Sequence, residues 1–498
     1  MISSLNLGAL IDPARQPDKV AVIDFDGERA REVTYSALDA LADGVARALV
    51  SRGFERDDRI AILAANSSDY LAAHLGIMRA GLVSVPINFR LPRHLVEFII
   101  QDCGARLVFC DCERRAVIPA DVVAIDFDDA EFGAFVQPGS FDAIEPKKGE
   151  AATILYTSGS TGKPKGVVLS HDAQRWVVEM RLGPQGIEDQ RMLIAAPLYH
   201  MNALALSLLV FAGNASMVLM PQFKVKPYVE SIGRFRPTWL TSVPPMIAMM
   251  LDDKQAMASA DLSSVQNLRM GSAPIGASLL DEIRHTFPKA KILNAYGTTE
   301  GSPIVFGPHP QGKPTPNLSL GYKHSQVDLR LMDQTGAEAD EGVLQLRSPG
   351  MMSGYHNRPD LPRPFTDDGY YVTGDVFSRD ADGFYYFVGR VDDMFVSGGE
   401  NIFPGEVERM LESHPDVIQT CVVPIDDPIK GKKPVAFVRL APSATVDASA
   451  LKAFALERGA AYQHPRAIWF LDEFPLASTN KVDRAALAQR ARELSQES

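Results

Sequence analysis

The apolar period of this chain keeps switching between two values, and that alternation restricts its fold more than any other feature. Thr34 to Ser51 carries Leu38, Leu41, Val45 and Leu49 at helical spacing, and Gly53 follows as a stop. Arg59 to Ala64 then reads as a buried strand, residues 70–80 as a helix, and Val83 to Pro86 as a strand again. Strands separated by helices imply βαβ units and a mostly parallel sheet. The pattern recurs through residues 150–300, whereas Gly342 to Arg347 and Gly383 to Val388 read as short strands near turns. After about residue 390 the chain restarts. A Gly-rich turn leads to a helix near Pro404 to Ser413, strands near Thr420 to Pro424 and Val435 to Leu440, and a helix from Ala448. The expectation is an α/β protein with a large N-terminal domain, residues 1–390, and a small α+β C-terminal domain, residues 391–498. A chain of 498 residues is in any case too long for one core.

Composition removes several classes. The net charge is −12, from 50 Lys+Arg against 62 Asp+Glu, which argues against nucleic acid as a partner because phosphate contacts need clustered cations. Four cysteines in this length do not make a disulfide framework, so a reducing compartment, the cytoplasm, is expected. Cys103, Cys110 and Cys112 lack the spacing of a zinc site. Met1 to Leu10 has no basic region, so no secretory leader is expected. One stretch mimics a membrane span: no Asp, Glu, Lys or Arg lies between Arg191 and Lys224. Pro197, His200, Asn202, Gly213 and Asn214 interrupt it, so it reads as a helix from Ala203 to Phe211, a turn, and a strand from Ser216 to Met220.

The chemistry begins where an apolar strand, Ala152 to Tyr156, runs into Thr157, Ser158, Gly159, Ser160, Thr161, Gly162, Lys163, Pro164, Lys165 and Gly166. Those ten residues hold four hydroxyls, three glycines and two lysines. Glycines let backbone N–H groups approach a ligand, hydroxyls donate to phosphate oxygens, and lysine supplies a point charge. The combination reads as a polyphosphate cradle. It is not a Walker loop, since Gly159 and Gly162 are too close together and Pro164 follows Lys163.

Tyr156 to Gly166 resembles the phosphate loop of the adenylate-forming enzymes: acyl-CoA synthetases, adenylation domains and luciferases. Four further segments carry the resemblance in order. They are Asn294-Ala295-Tyr296-Gly297-Thr298-Thr299-Glu300, Tyr371-Val372-Thr373-Gly374-Asp375, Gly389-Arg390 through Asn401, and Pro475 through Lys481. The wording of the third segment and of Thr479-Asn480-Lys481 is most similar to aryl-CoA ligases of the 4-chlorobenzoate type. The resemblance implies a large N-terminal domain of βαβ sheets with a small distorted β-barrel, then a mobile α+β lid. It also implies two reactions. Attack of a carboxylate on the α-phosphate of ATP gives an acyl-adenylate, and the thiol of coenzyme A then displaces AMP. Both steps develop charge on oxygens, so fixed donors and cations are the tools required.

Residue roles follow from the resemblance. Thr157 to Lys165 would hold the outer phosphates and Thr299 the α-phosphate, with Glu300 holding Mg²⁺, a hard ion that bridges phosphates. Tyr296 would stack on adenine, with Gly271, Ser272 and Ala273 opposite and Asn294, Ala295, Gly297 and Thr298 completing the ATP site. Asp375 would accept from the ribose hydroxyls, and Arg390 would lie against ribose and phosphate. Lys481 is the expected catalytic residue, bridging carboxylate and α-phosphate oxygens. His200, after Pro197-Leu198-Tyr199, would sit at the mouth of the acid pocket. Met201, Asn202, Val243, Ala273, Gly297 and Ser302 are expected to line that pocket, with Trp176 nearby. Their small or apolar character predicts a neutral tail, aromatic, alicyclic or short to medium acyl. Arg175 and Arg181 are the residues that could reverse that.

Asp392 takes the hinge position. Rotation there would withdraw Lys481 and bring Ser397, Gly398 and Gly399 to the pantetheine arm. Arg90, in Asn88-Phe89-Arg90-Leu91, and Tyr462, His464 and Arg466 are the expected coenzyme A contacts. His464 stands where relatives have arginine, and Lys430 where they have tryptophan. The partners expected are therefore a carboxylic acid, ATP and coenzyme A, with no nucleic acid and no membrane span; a homodimer is left open. Two other readings are a stand-alone adenylation enzyme that loads a carrier protein and a catalytically inactive homologue.

Overall fold

The computed structural model describes residues 4–12, 14–128, 130–157, 163–183, 185–258, 260–271, 273, 275–361, 363–442, 444–477 and 481–496. Three sheets build the large domain. The first has the strand order Lys291–Ala295, Asn267–Gly271, Trp239–Ser242, Arg191–Ile194, Ser216–Leu219, Val20–Phe25 and Ala30–Thr34. All its pairings are parallel except the last. The second runs Gly354–Tyr355, Lys165–Ser170, Ala151–Thr157, Val83–Pro86, Arg59–Leu63, Leu107–Cys110 and Val123–Asp126. Here the first two pairings are antiparallel and the rest parallel. The alternating period is thus borne out as two βαβ sheets.

The two sheets share one core. Val22, Ile194 and Met217 from the first meet Ile60, Ile62 and Phe109 from the second through the helices Tyr35–Ser51, Ser68–Arg79 and Met201–Ala212. This explains the charge-free stretch after Arg191. The helix Met201–Ala212 is sandwiched, so it is apolar on every face as a buried helix must be. Among the described residues no helix is long and apolar enough to cross a membrane.

Residues 306–390 form the third sheet, six antiparallel strands in the order Phe306–Gly307, Gly321–Lys323, Phe384–Arg390, Tyr371–Arg379, Glu341–Arg347 and Asp328–Met332. It occupies the place of the expected small barrel and packs on the helix His171–Leu182 through Trp176 and Val177. The chain then forms a smaller domain. It has a hairpin (Phe395–Ser397 and Glu400–Ile402), the helix Pro404–Glu412, two long antiparallel strands (Val417–Asp427 and Gly431–Leu440), a parallel third strand (Ile468–Phe470) and the helices Ala448–Arg458 and Arg484–Gln496.

Candidate active site

In an open α/β sheet, ligands bind at the carboxyl ends of strands where the strand order reverses. In the first sheet the order reverses between Arg191–Ile194 and Trp239–Ser242, which are neighbours although far apart in sequence. The segments that leave those strands, Pro197 to Asn202 and Val243, were the ones expected to line the acid pocket. The next strands over, Asn267–Gly271 and Lys291–Ala295, deliver Gly271 with Ala273 and Ala295 through Glu300 to the same edge. Topology alone therefore gathers four of the expected segments.

Thr298 and Ser302 pair across a tight turn, with Gly301 N–H donating to Thr298 Oγ1 at 2.8 Å. Thr299 and Glu300 stand at its apex. Space here is short: a Cβ on Gly297 would lie 2.5 Å from Pro303 Cα and 2.8 Å from the Ser302 carbonyl oxygen. Ser302 is fully buried at φ 105°, a conformation few non-glycine residues hold, and its Oγ accepts from Ile304 N–H at 3.1 Å. The Glu300 carboxylate accepts from Thr157 Oγ1 and from the Tyr355 hydroxyl, each at 3.4 Å. The first contact joins the turn to the start of the phosphate loop. Ser158 to Gly162 lie outside the described residues, as do Ser272, Pro274 and Ser478 to Asn480. Beyond the gap, Lys163 and Lys165 lie over the rings of Phe98 and Tyr355.

The described residues hold no cluster of three or more His, Cys, Asp or Glu able to bind a metal alone. That suits Mg²⁺ here, because this ion keeps its waters and is held by one or two carboxylates together with substrate phosphates. Glu300, tied to Thr157 at the mouth of the phosphate loop, is the carboxylate that fits. Bound there, Mg²⁺ would neutralise phosphate charge.

The end of the site expected to take the ribose is set by the third sheet. Asp375 and Arg390 face each other on paired strands, with Arg390 Nη1 3.5 Å from Asp375 Oδ1. The Tyr296 hydroxyl donates to Asp375 Oδ2 at 2.5 Å, and its ring meets Phe377 edge to face at 4.8 Å. Burial raises the pKa of Asp375, while Tyr296, Arg390 and Lys481 pull it down. Each carboxylate oxygen has two lone pairs, so both remain able to accept from a sugar hydroxyl.

Lys481 comes to this point from the small domain. Leu476 and Val482 pair, and Ala477 N–H donates to the Lys481 carbonyl at 2.7 Å, which closes a turn around the described end of that segment. The ammonium keeps access to solvent but is crowded by protein, and its pKa is lowered first by that crowding, then by Arg390, against the pull of Asp375. Its charge also reaches His200. Burial holds His200 down to about 4, helped by Lys481 and Arg90, so the ring is neutral at pH 7. Its Nε2 is buried without a hydrogen-bond partner. Lys481, Asp375, Arg390 and His200, drawn from the third sheet, a helix start beside the first sheet and the small domain, share one electrostatic neighbourhood.

The expected coenzyme A residues are placed differently. Arg90 lies by Tyr199 and His200 and contributes to both their pKa shifts. Gly398 and Gly399, at φ 61° and 91°, form the two-residue turn of the hairpin, and Gly398 N–H donates to the Lys430 carbonyl at 2.9 Å. Ser397 is buried beside that turn, and Tyr462 packs on the small domain's core. Asp392 is 3.7 Å from Arg390 Nη2. Sequence reasoning missed Tyr355, which reaches Glu300 only because Gly354–Tyr355 pairs with Lys165–Ser170. It also missed Arg269, whose Nη1 donates to Asn202 Oδ1 at 2.7 Å.

Comparison with known proteins agrees with this geometry. Residues 11–356 match the AMP-binding enzyme family and residues 406–481 its C-terminal domain, so the chain belongs to that family. A feruloyl-CoA synthase from Amycolatopsis sp is 30% identical over 470 residues, 92% of this chain and 94% of that protein. A sulfoacetate–CoA ligase from Cupriavidus necator is 30% identical over 504 residues, 96% of each chain. The crystal structure of an anthranilate–CoA ligase with anthranoyl-AMP matches with a TM-score of 0.89 at 26% identity, covering 99% of this chain and 98% of that one.

Proposed function

We propose that this chain is an AMP-forming carboxylic acid–CoA ligase that uses ATP, Mg²⁺ and coenzyme A, in which Lys481 catalyses the adenylation step. The observation that carries the reading is the meeting of Lys481 with Asp375, Arg390 and His200. An ammonium between a ribose acceptor and the mouth of an acid pocket stands where a carboxylate must attack the α-phosphate. There it can offset charge on both reactants, and the donors are fixed in advance. Thr299 and Glu300 at the turn apex would meet the α-phosphate and its metal. Val243, Ala273, Met201 and Asn202 would bound the acid, and His200, neutral, would orient the carboxylate as a hydrogen-bond partner.

The lid would begin after residue 390, with Asp392 as the hinge. Rotation there would exchange Lys481 for Ser397-Gly398-Gly399 at the site, and Arg90 and Tyr462 would then hold coenzyme A. The cysteines described as free, Cys103, Cys110, Cys112 and Cys421, support a reducing compartment such as the cytoplasm. Lys481→Ala is expected to lower acyl-adenylate formation by at least about a hundredfold while thioester formation from supplied acyl-adenylate persists. Rapid-quench measurement of each half-reaction checks this, and equal loss of both would count against the assignment.

A further inference from the structure

Two buried arginines near Asn202, a residue expected to line the acid pocket, have no counter-anion among the described residues. Arg181 lies in the last turn of the helix His171–Leu182, and both its terminal nitrogens are buried without a hydrogen-bond partner. Arg269 projects from the strand Asn267–Gly271, and among the described residues neither guanidinium has a carboxylate within ion-pair distance. Burial and then the charge of Arg269 push the pKa of Arg181 well below its usual value, and burial holds Arg269 down to about 10. Removing one charge from water without a partner is costly, and burying two like charges together is more so.

Arg269, the neighbour of Arg181, reaches one helix end. Arg269 holds Asn202 Oδ1, and Asn202 Nδ2 faces Thr241 Oγ1 at 3.5 Å, so Asn202 is pinned in the first turn of Met201–Ala212. That helix start has no acidic residue in its first turn and no side-chain cap, and His200 is its N-cap. Its unsatisfied N–H groups and dipole add positive character to the same spot. The two guanidinium groups and the N–H groups of the helix start are all donors or cations, and the helix start follows His200 directly.

We infer that the acid this enzyme activates carries a second anionic group, a carboxylate or sulfonate, which pairs with Arg181 and Arg269 while the first carboxylate reacts near Lys481. The inference rests on the ligase reading above and specifies its substrate. It replaces the neutral tail that the pocket's small residues led us to expect. Asn202 becomes a positioning residue that holds Arg269 in place.

The test uses the full chain with ATP, Mg²⁺ and coenzyme A, and matched acids of equal length that end in a methyl group, a carboxylate or a sulfonate, on aliphatic and aromatic skeletons. Thioester is read by mass spectrometry. An acid with a second anion should exceed its neutral partner in kcat/KM by about a hundredfold or more, since a site built for a polar group rejects the analogue that lacks it. The carboxylate and sulfonate arms identify which anion is preferred. Arg269→Met should shrink that ratio at least tenfold, chiefly through KM, and Arg181→Lys should retain more of it than Arg181→Met. Equal or better turnover of neutral acids by the wild-type protein would overturn the inference and leave the ligase reading intact. No thioester from any acid would overturn the ligase reading itself.

Discussion

At the scale of single residues, His200 reports on where Lys481 stands. Its pKa is held at about 4 by burial first and by the charges of Lys481 and Arg90 after that. The sign is that of a histidine buried neutral. Its contribution to stability is complete above the unfolded value near 6.5 and is lost as pH falls through 4. Between those values the unfolded chain binds the extra proton. His200 should therefore add no titration near 6.5 to the pH profile of adenylation. In Lys481→Met one repulsive charge is gone, so the His200 pKa should rise towards 6.5 without reaching it, because burial remains. Imidazole NMR signals followed across pH 4–8 would show this, and an unmoved His200 would place Lys481 away from the acid pocket.

At the scale of elements, the Thr298–Ser302 turn is the most constrained part of the site. Gly297→Ala would set a methyl group against Pro303 Cα and the Ser302 carbonyl, and Ser302 already holds φ 105°. We expect a cost of about 1–3 kcal/mol in stability, with the KM for ATP raised because Thr299 and Glu300 ride on the displaced turn. Urea unfolding together with ATP kinetics would measure both, and an unchanged midpoint would show that the turn has room. The segment was legible in the sequence as Thr298-Thr299-Glu300, and so were the alternating strands and helices, because a period of 2 or 3.6 is written into local residues. What was not legible depends on which distant strands become neighbours. Arg269 reads as an ordinary strand residue until Trp239–Ser242 lies beside Asn267–Gly271 and Thr241 comes opposite it. Tyr355 has no signal at all before its strand pairs with residues 165–170. Arg181 sits on an amphipathic helix, and only the fold shows that its end is buried.

At the scale of the whole molecule, the proposed function makes the position of the small domain select the chemistry, and three contacts hold it as observed. Arg439 pairs with Asp252 of the large domain, Arg409 donates to the Val388 carbonyl at 3.2 Å, and Glu412 lies so near the start of the helix Ala277–Thr286 that a Cβ on Gly276 would be 2.6 Å from Glu412 Oε2. Burial and the neighbouring Glu408 raise Glu412 to about 8. The part of that burial which the Gly276 end of the helix Ala277–Thr286 adds favours the docked state, fully below the free value near 4.5, and that help is lost as pH rises through 8. The docked orientation, which the proposed function makes the one that presents Lys481, should therefore weaken between about pH 4.5 and 8. Adenylation should fall over that range relative to thioester formation from supplied acyl-adenylate. Glu412→Gln cannot ionise and should flatten the fall. Arg439→Ala should lower adenylation at every pH by roughly two- to fivefold, the modest worth of a partly exposed ion pair, and leave the second half-reaction unchanged. A loss shared equally by both half-reactions would mean that these contacts stabilise the fold without selecting the orientation. The asymmetry matters because the ligand charges enter a protein of net charge −12. The attraction has to come from local cations, and on the proposed function Lys481 would be the one that docking delivers and undocking removes.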